Sequence, residues 1–183
     1  LYFIDSGQRL GEGSSTDVAL DDLDGDGDLD AFVTNRAVPN TVWLNDGTGL
    51  LSDSGQRLGD VTSTAVDLGD VDGDGDLDAV VANVEGTTNK LWLNDGVGNF
   101  TDSGISLGQA GSYDIKLGDL DGDGDLDAFV VNLNDPNQIW LNDGAGNFAD
   151  SGQALGDAEV QTMSVALGDL DGDGDLDAVV GTI

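Results

Sequence analysis

The chain has 183 residues, 37 of them Asp or Glu against 5 Lys or Arg, with no His, no Cys and a formal net charge of −32. That balance argues against nucleic acid and anionic membrane as partners, leaves nothing for a disulfide framework, and removes the Cys nucleophile and the His base of covalent catalysis. With 38% hydrophobic residues and regularly spaced Trp, Leu and Val, the sequence still specifies a packed protein and not a disordered acidic tail.

Residues 3–8 read as the last strand of a repeat unit, because their DSG word recurs at Asp5, Asp53, Asp102 and Asp150. Residues 1–10 lack the basic start and apolar stretch of a signal peptide, so an export signal is expected to have been removed or to lie outside this segment. No apolar run approaches the roughly 18 residues of a membrane span, and no membrane insertion is expected.

The acidic word DLDGDGDLD or DVDGDGDLD follows, starting at Asp22, Asp70, Asp119 and Asp169, at intervals of 48, 49 and 50 residues. WLND recurs with it at Trp43, Trp92 and Trp140. One unit is copied four times across residues 1–183, with its loops at 22–30, 70–78, 119–127 and 169–177.

The second unit shows the anatomy. Residues 64–68 and 79–82 are short, apolar and rich in branched side chains, and read as strands one and two flanking the loop. LWLN from Leu91 and FTDSG from Phe100 read as strands three and four, joined by DGVGN, whose Gly and Asn supply a tight turn. No stretch keeps a helical apolar period. The expected fold is all-β: β-propeller blades, four tandem repeats of four-stranded antiparallel sheets, each with its acidic loop between strands one and two. A solenoid or a string of separate hairpins is the alternative. The fourth unit reaches only its second strand before Ile183, so the ring is expected to be completed by a longer chain or by a homodimer, with residues 3–8 supplying a fourth strand.

Alternating Asp around permissive Gly is the pattern of a hard-cation loop, since Ca²⁺ takes about six to eight oxygens. One Ca²⁺ is expected per loop, about four in all, bringing the charge from −32 to −24. The side-chain ligands are expected at positions one, three, five and nine: Asp22, Asp24, Asp26 and Asp30; Asp70, Asp72, Asp74 and Asp78; Asp119, Asp121, Asp123 and Asp127; Asp169, Asp171, Asp173 and Asp177. At position seven, Asp28, Asp76, Asp125 and Asp175 are expected to ligate through their carbonyls, with side chains turned to water. An EF-hand is excluded, because Val33, Val81, Val130 and Val180 stand where its terminal Glu belongs.

These residues resemble the FG-GAP and VCBS-type repeats, the family that includes the propeller of integrin α subunits, over essentially the whole chain. All four loops match its D-x-D-x-D-G-x-x-D motif, while LGD stands in place of the first family word and Gly-Ala-Pro is missing, which points to the bacterial VCBS-like branch. The resemblance implies a secreted or cell-surface calcium-binding propeller, acting in adhesion or at carbohydrate.

Alternating strand directions put the metal loops and the DGxGN turns on one face. The other face collects the segments that vary most among the copies: 35–40, 83–89 and 132–137, with the connections 11–15, 59–63, 108–112 and 156–162. A ligand surface and simple tolerance of change both account for that variation. Trp43, Trp92 and Trp140 share one register of strand three and are expected to fill the space between blades, in preference to forming sugar platforms. Asp67 and Lys116, at one register of strand one in adjacent units, are expected to pair. No enzyme is expected: a carboxylate-only glycosidase needs free acids, and the repeated Asp are better explained as ligands. The expected role is a ligand-binding or adhesion module for an unknown protein or glycan, with a lectin or a purely structural calcium-stabilised scaffold as alternatives.

Overall fold

The computed structural model describes residues 2–84, 86–109, 111–157 and 159–183. Among them there is no helix. Three four-stranded antiparallel sheets follow one another: β1 (Ser14–Asp21) to β4 (Leu51–Asp53), with β2 (Asp30–Arg36) and β3 (Thr41–Asn45) between them; β5 (Ser63–Gly69), β6 (Asp78–Asn83), β7 (Asn89–Asn94) and β8 (Phe100–Leu107); and β9 (Ser112–Gly118), β10 (Asp127–Asn132), β11 (Asn137–Asn142) and β12 (Phe148–Leu155). The fourth sheet has two strands, β13 (Thr162–Gly168) and β14 (Asp177–Thr182). Three units form four-stranded sheets as expected, and among the described residues the fourth forms two strands. Residues 2–10 are not a strand and have no ladder partner among the described residues, which corrects the reading of 3–8 as a formed fourth strand.

The sheets stand as propeller blades, with the first strands β1, β5, β9 and β13 packed side by side. The period of two explains the stacking. In β6, Ala79 and Val81 face the first blade, in a core with Phe32, Val42, Val66 and Trp92, while Val80 and Ala82 face the third, with Leu91, Ile115, Ala128 and Val130. In β10, Phe129 and Val131 turn on to the fourth sheet and meet Val165. A second strand buried on both faces needs a continuous apolar run, which AVVA and AFVV supply. Phe32 and Phe100 meet edge to face across the first boundary, their ring centres 5.3 Å apart.

Polar residues join the blades where apolar ones do not. On the face away from the acidic loops, Asn35 N donates to Asn40 Oδ1, Asn40 Nδ2 to Ser63 Oγ, and Ser63 Oγ to Asn83 Oδ1. The same sequence of contacts then repeats through Asn89, Ser112, Asn132 and Asn137, and at the third boundary the direction reverses, Thr162 Oγ1 donating to Asn137 Oδ1. All are buried, so the pairing removes a desolvation cost that each would otherwise impose. Farther out, the Gln56 side chain clasps the next blade by donating to Gly98 O at 2.6 Å and accepting from Phe100 N at 2.8 Å. Gln8 makes the same two contacts with Gly49 and Leu51 of the first blade, so residues 2–10 sit where an outer strand of a preceding blade would lie.

Candidate metal centres

Each acidic loop leaves strand one and re-enters at strand two within nine residues. It curls because its own carboxylates cap its backbone. Asp22 accepts from Gly25 N at 2.9 Å and Gly27 N at 3.0 Å, Asp24 from Asp26 N at 3.2 Å, and Asp26 from Asp28 N at 3.0 Å. Gly27 has φ 93°, a left-handed conformation that a side chain would strain. The pattern recurs in the other loops, with Asp70, Asp119 and Asp169 each accepting two backbone bonds.

Position nine is the anchor. Asp30 is fully buried at the start of β2, where Oδ2 accepts from Leu23 N at 3.0 Å and Oδ1 from Asn45 N at 2.7 Å. Asp78 and Asp127 repeat both bonds, to Val71 and Asn94 and to Leu120 and Asn142. Asp177 repeats the first, from Leu170 N.

The structure brings together positions one, three and nine. Asp22, Asp24 and Asp30 each offer an oxygen within 4.8 Å of the others, as do Asp70, Asp72 and Asp78, Asp119, Asp121 and Asp127, and Asp169, Asp171 and Asp177. Asp26, Asp74, Asp123 and Asp173 at position five are not in these groups; each instead accepts from the position-seven N–H. At position seven the side chain is not simply turned to water. Asp28 lies over the DGTGL hairpin of its own blade, so close that a methyl on Gly47 would stand 2.5 Å from Asp28 Oδ2. Asp76 and Asp125 lie likewise over Gly96 and Gly144.

The donor set fits a hard cation. It is all oxygen, and it is uncompensated: the four ion pairs among the described residues engage Asp5, Asp53, Asp102 and Asp67, none of them a loop ligand. Burial pushes the Asp78 carboxyl up to about 6, with the charges of Asp72 and Asp74 adding to it against two backbone hydrogen bonds. Burial likewise raises Asp24, Asp72 and Asp127, helped by neighbouring loop carboxylates. A bound cation would reverse that penalty.

Opposite the loops, two boundary clefts carry side chains that the sequence reading did not combine. One is lined by Trp92, Lys90, Asp102, Thr88 and Asn83, the other by Trp43, Thr41, Asp53, Arg57 and Glu12. In each, a carboxylate meets a cation: Lys90 Nζ lies 2.9 Å from Asp102 and Arg57 Nη2 lies 2.7 Å from Asp53. The second pair was legible as i,i+4 within DSGQR, whereas the first joins β7 to β8 and was not. Trp92 belongs to the core, as expected, while Trp43 and Trp140 are half-buried. Glu85, Ala110 and Ala158 of the variable segments lie outside the described residues.

Repeated blades with an acidic loop between strands one and two define a β-propeller with acidic-loop repeats. The FG-GAP-like repeat matches residues 22–81, 70–130 and 119–180, together most of the chain, and the protein belongs to that family. No curated protein matches the chain. Among solved structures it is similar to a lectin of Agrocybe aegerita described by its specific recognition of non-reducing terminal N-acetylglucosamine, at 23% identity and a TM-score of 0.47. That similarity covers 72% of this chain and 36% of the lectin, so the chain spans about a third of that structure's length. No described helix is long and apolar enough to cross a membrane.

Proposed function

We propose that this chain is a calcium-stabilised, non-catalytic propeller segment of a secreted or cell-surface protein. It binds a protein or glycan through the boundary clefts opposite its metal loops. The observation that carries the reading is the recurrence of one cleft chemistry at two successive positions, an indole beside a carboxylate–cation pair. An aromatic wall with a few fixed polar groups suits a sugar ring or a polar peptide. The four oxygen-only groups support calcium, and the family supports the placement outside the cell.

The test is binding to a glycan array and to candidate surface proteins, in Ca²⁺, by the native chain and by Lys90→Ala and Asp53→Ala. Binding that these variants lose while their melting temperature is kept supports the cleft. Binding that they retain, or no binding to either set, favours the structural-scaffold reading, which the hydrogen-bonded series between blades supports.

The homodimer also remains a proposal, and it rests on matching open faces. At internal boundaries Leu117 and Leu126 pack over Gly69, and Leu167 and Leu176 over Gly118. The equivalent Leu20 and Leu29 of the first blade are each 57% exposed, and the equivalent Gly168 has nothing within 4 Å of where a methyl would stand. Light scattering on the native chain and on Leu29→Lys decides it, a dimer that the charge disrupts being the supporting result.

A further inference from the structure

The buried ends of the three loops 22–30, 70–78 and 119–127 belong to one hydrogen-bonded series. Leu23 N donates to Asp30 Oδ2, and Leu23 O accepts from Asn94 Nδ2 of the next blade at 2.9 Å. Asn94 N donates to Asp78 Oδ1 at 2.9 Å, and Asp78 Oδ2 accepts from Val71 N at 3.2 Å. Val71 O accepts from Asn142 Nδ2 at 2.8 Å, Asn142 N donates to Asp127 Oδ1 at 2.9 Å, and Asp127 Oδ2 accepts from Leu120 N at 2.9 Å. Asp30, Leu23, Asn94, Asp78, Val71, Asn142 and Asp127 are all at most 6% exposed.

We propose that Asn94 and Asn142 are positioning residues that couple neighbouring metal sites, so that an ion in one of these three loops favours binding in the next. The proposal rests on the metal reading above. Its basis is that the position-nine carboxylate serves both in the triad and in the series. An ion that fixes Asp78 fixes the two N–H groups held by its oxygens, and one of them belongs to Asn94, whose amide grips the loop of the preceding blade.

The amide orientation is unambiguous. Asn94 Nδ2 spends its hydrogens on two carbonyls in different blades, Leu23 O and Leu77 O, and Asn142 Nδ2 on Val71 O and Leu126 O. Their Oδ1 atoms are buried without a partner. Exchanging O for N would set an acceptor against two acceptors, so the bridge is kept although it leaves a carbonyl unpaired. Asn45 is the internal control. Its N still donates to Asp30, but its Nδ2 reaches only Leu29 O of its own blade.

Coupling between sites is a ratio of affinities, and a contiguous buried network is a physical route for it. The experiment is calorimetric Ca²⁺ titration of the full chain with chelator competition, for the native protein, Asn94→Ala, Asn45→Ala and Asp72→Asn. The native isotherm should be steeper than independent sites allow. Asn94→Ala should bring its Hill coefficient toward one, whereas Asn45→Ala should leave the coefficient unchanged. Asp72→Asn removes a ligand that is not in the series, and should weaken the surviving sites in loops 22–30 and 119–127 by about five-fold or more. Surviving sites of native affinity in Asp72→Asn, or a native Hill coefficient in Asn94→Ala, overturn the coupling while leaving the metal reading intact. A native chain that binds no Ca²⁺ overturns both. Should Asn94→Ala fail to fold, Asp72→Asn decides alone.

Discussion

Asp67 of the second blade and Lys116 of the third approach to 3.3 Å, yet the same carboxylate also accepts from Leu117 N at 2.8 Å. The ion pair foreseen from sequence is therefore half of the contact. Asp17 accepts from Val66 N and Asp114 from Val165 N in the same sense, and neither is in an ion pair among the described residues. Each boundary between first strands is thus held by one carboxylate reaching the next blade's backbone.

It follows that the two ends of the pair are unequal. Lys116 is 36% exposed, so Lys116→Ala should cost no more than about 1 kcal/mol. Asp67→Ala leaves a backbone donor unpaired and should cost about 1–3 kcal/mol. Urea denaturation of both variants in excess Ca²⁺ measures the difference, and equal costs would show that the ion pair is the stronger half.

Asp114 should weaken the fold as pH rises. Burial pushes its carboxyl above the usual range, against hydrogen bonds from Val165 N and Ile115 N. A group whose folded value is raised contributes stability below its unfolded value of 3.8, and loses it as pH climbs through the folded one. Asp114→Asn keeps an acceptor without the charge. Its stability relative to the native chain should therefore increase from about pH 4 to pH 7, in paired denaturation curves at fixed Ca²⁺.

Two glycines of the third blade, Gly144 in the hairpin turn and Gly152 in β12, separate backbone strain from crowding. Gly144 and Gly152 have φ of 74° and 76°, but a methyl on Gly144 would stand 2.6 Å from Asp125 Oδ2 while one on Gly152 meets nothing within 4 Å. Gly152→Ala should cost about 1 kcal/mol, the left-handed penalty alone. Gly144→Ala should cost more and weaken Ca²⁺ in loop 119–127, as melting and calorimetric titration together would reveal.

Calcium should dominate stability. Binding confined to the folded state adds about 2.7 kcal/mol per site at a free concentration 100 times Kd, so four sites supply roughly 11 kcal/mol, on the scale of a domain's whole stability. Excess chelator should lower the melting midpoint sharply. An unchanged midpoint would show blades held by packing alone.

Much of this was legible in the sequence because the repeat writes it four times. The interval of the acidic word gave the blade, the AVVA and AFVV runs gave the doubly buried second strand, and alternating Asp marked the loop carboxylates, of which those at positions one, three and nine converge. Apart from the Asp67–Lys116 pair, what escaped was hydrogen bonding between units. Asn94 and Leu23 are 71 residues apart, and WLND alone marks its Asn only as the end of a strand. Position five looked like position three in the string, and only the closed turn leaves it outside the convergent groups. Position seven was expected to face water because sequence does not show that a hairpin glycine lies beneath it.

The Asn–Ser series on the far face has a consequence for how such a protein can change in length. Asn40 is to Ser63 as Asn89 is to Ser112, so the first two boundaries present the same plug and the same socket, and the third joins Asn137 to Thr162 at the same place. Removing or inserting one whole interval of 48 to 50 residues rejoins a plug to a socket. Cutting elsewhere strands a buried amide with no acceptor. The grammar of the molecule is therefore read in complete words, and its size is free to vary only by whole blades.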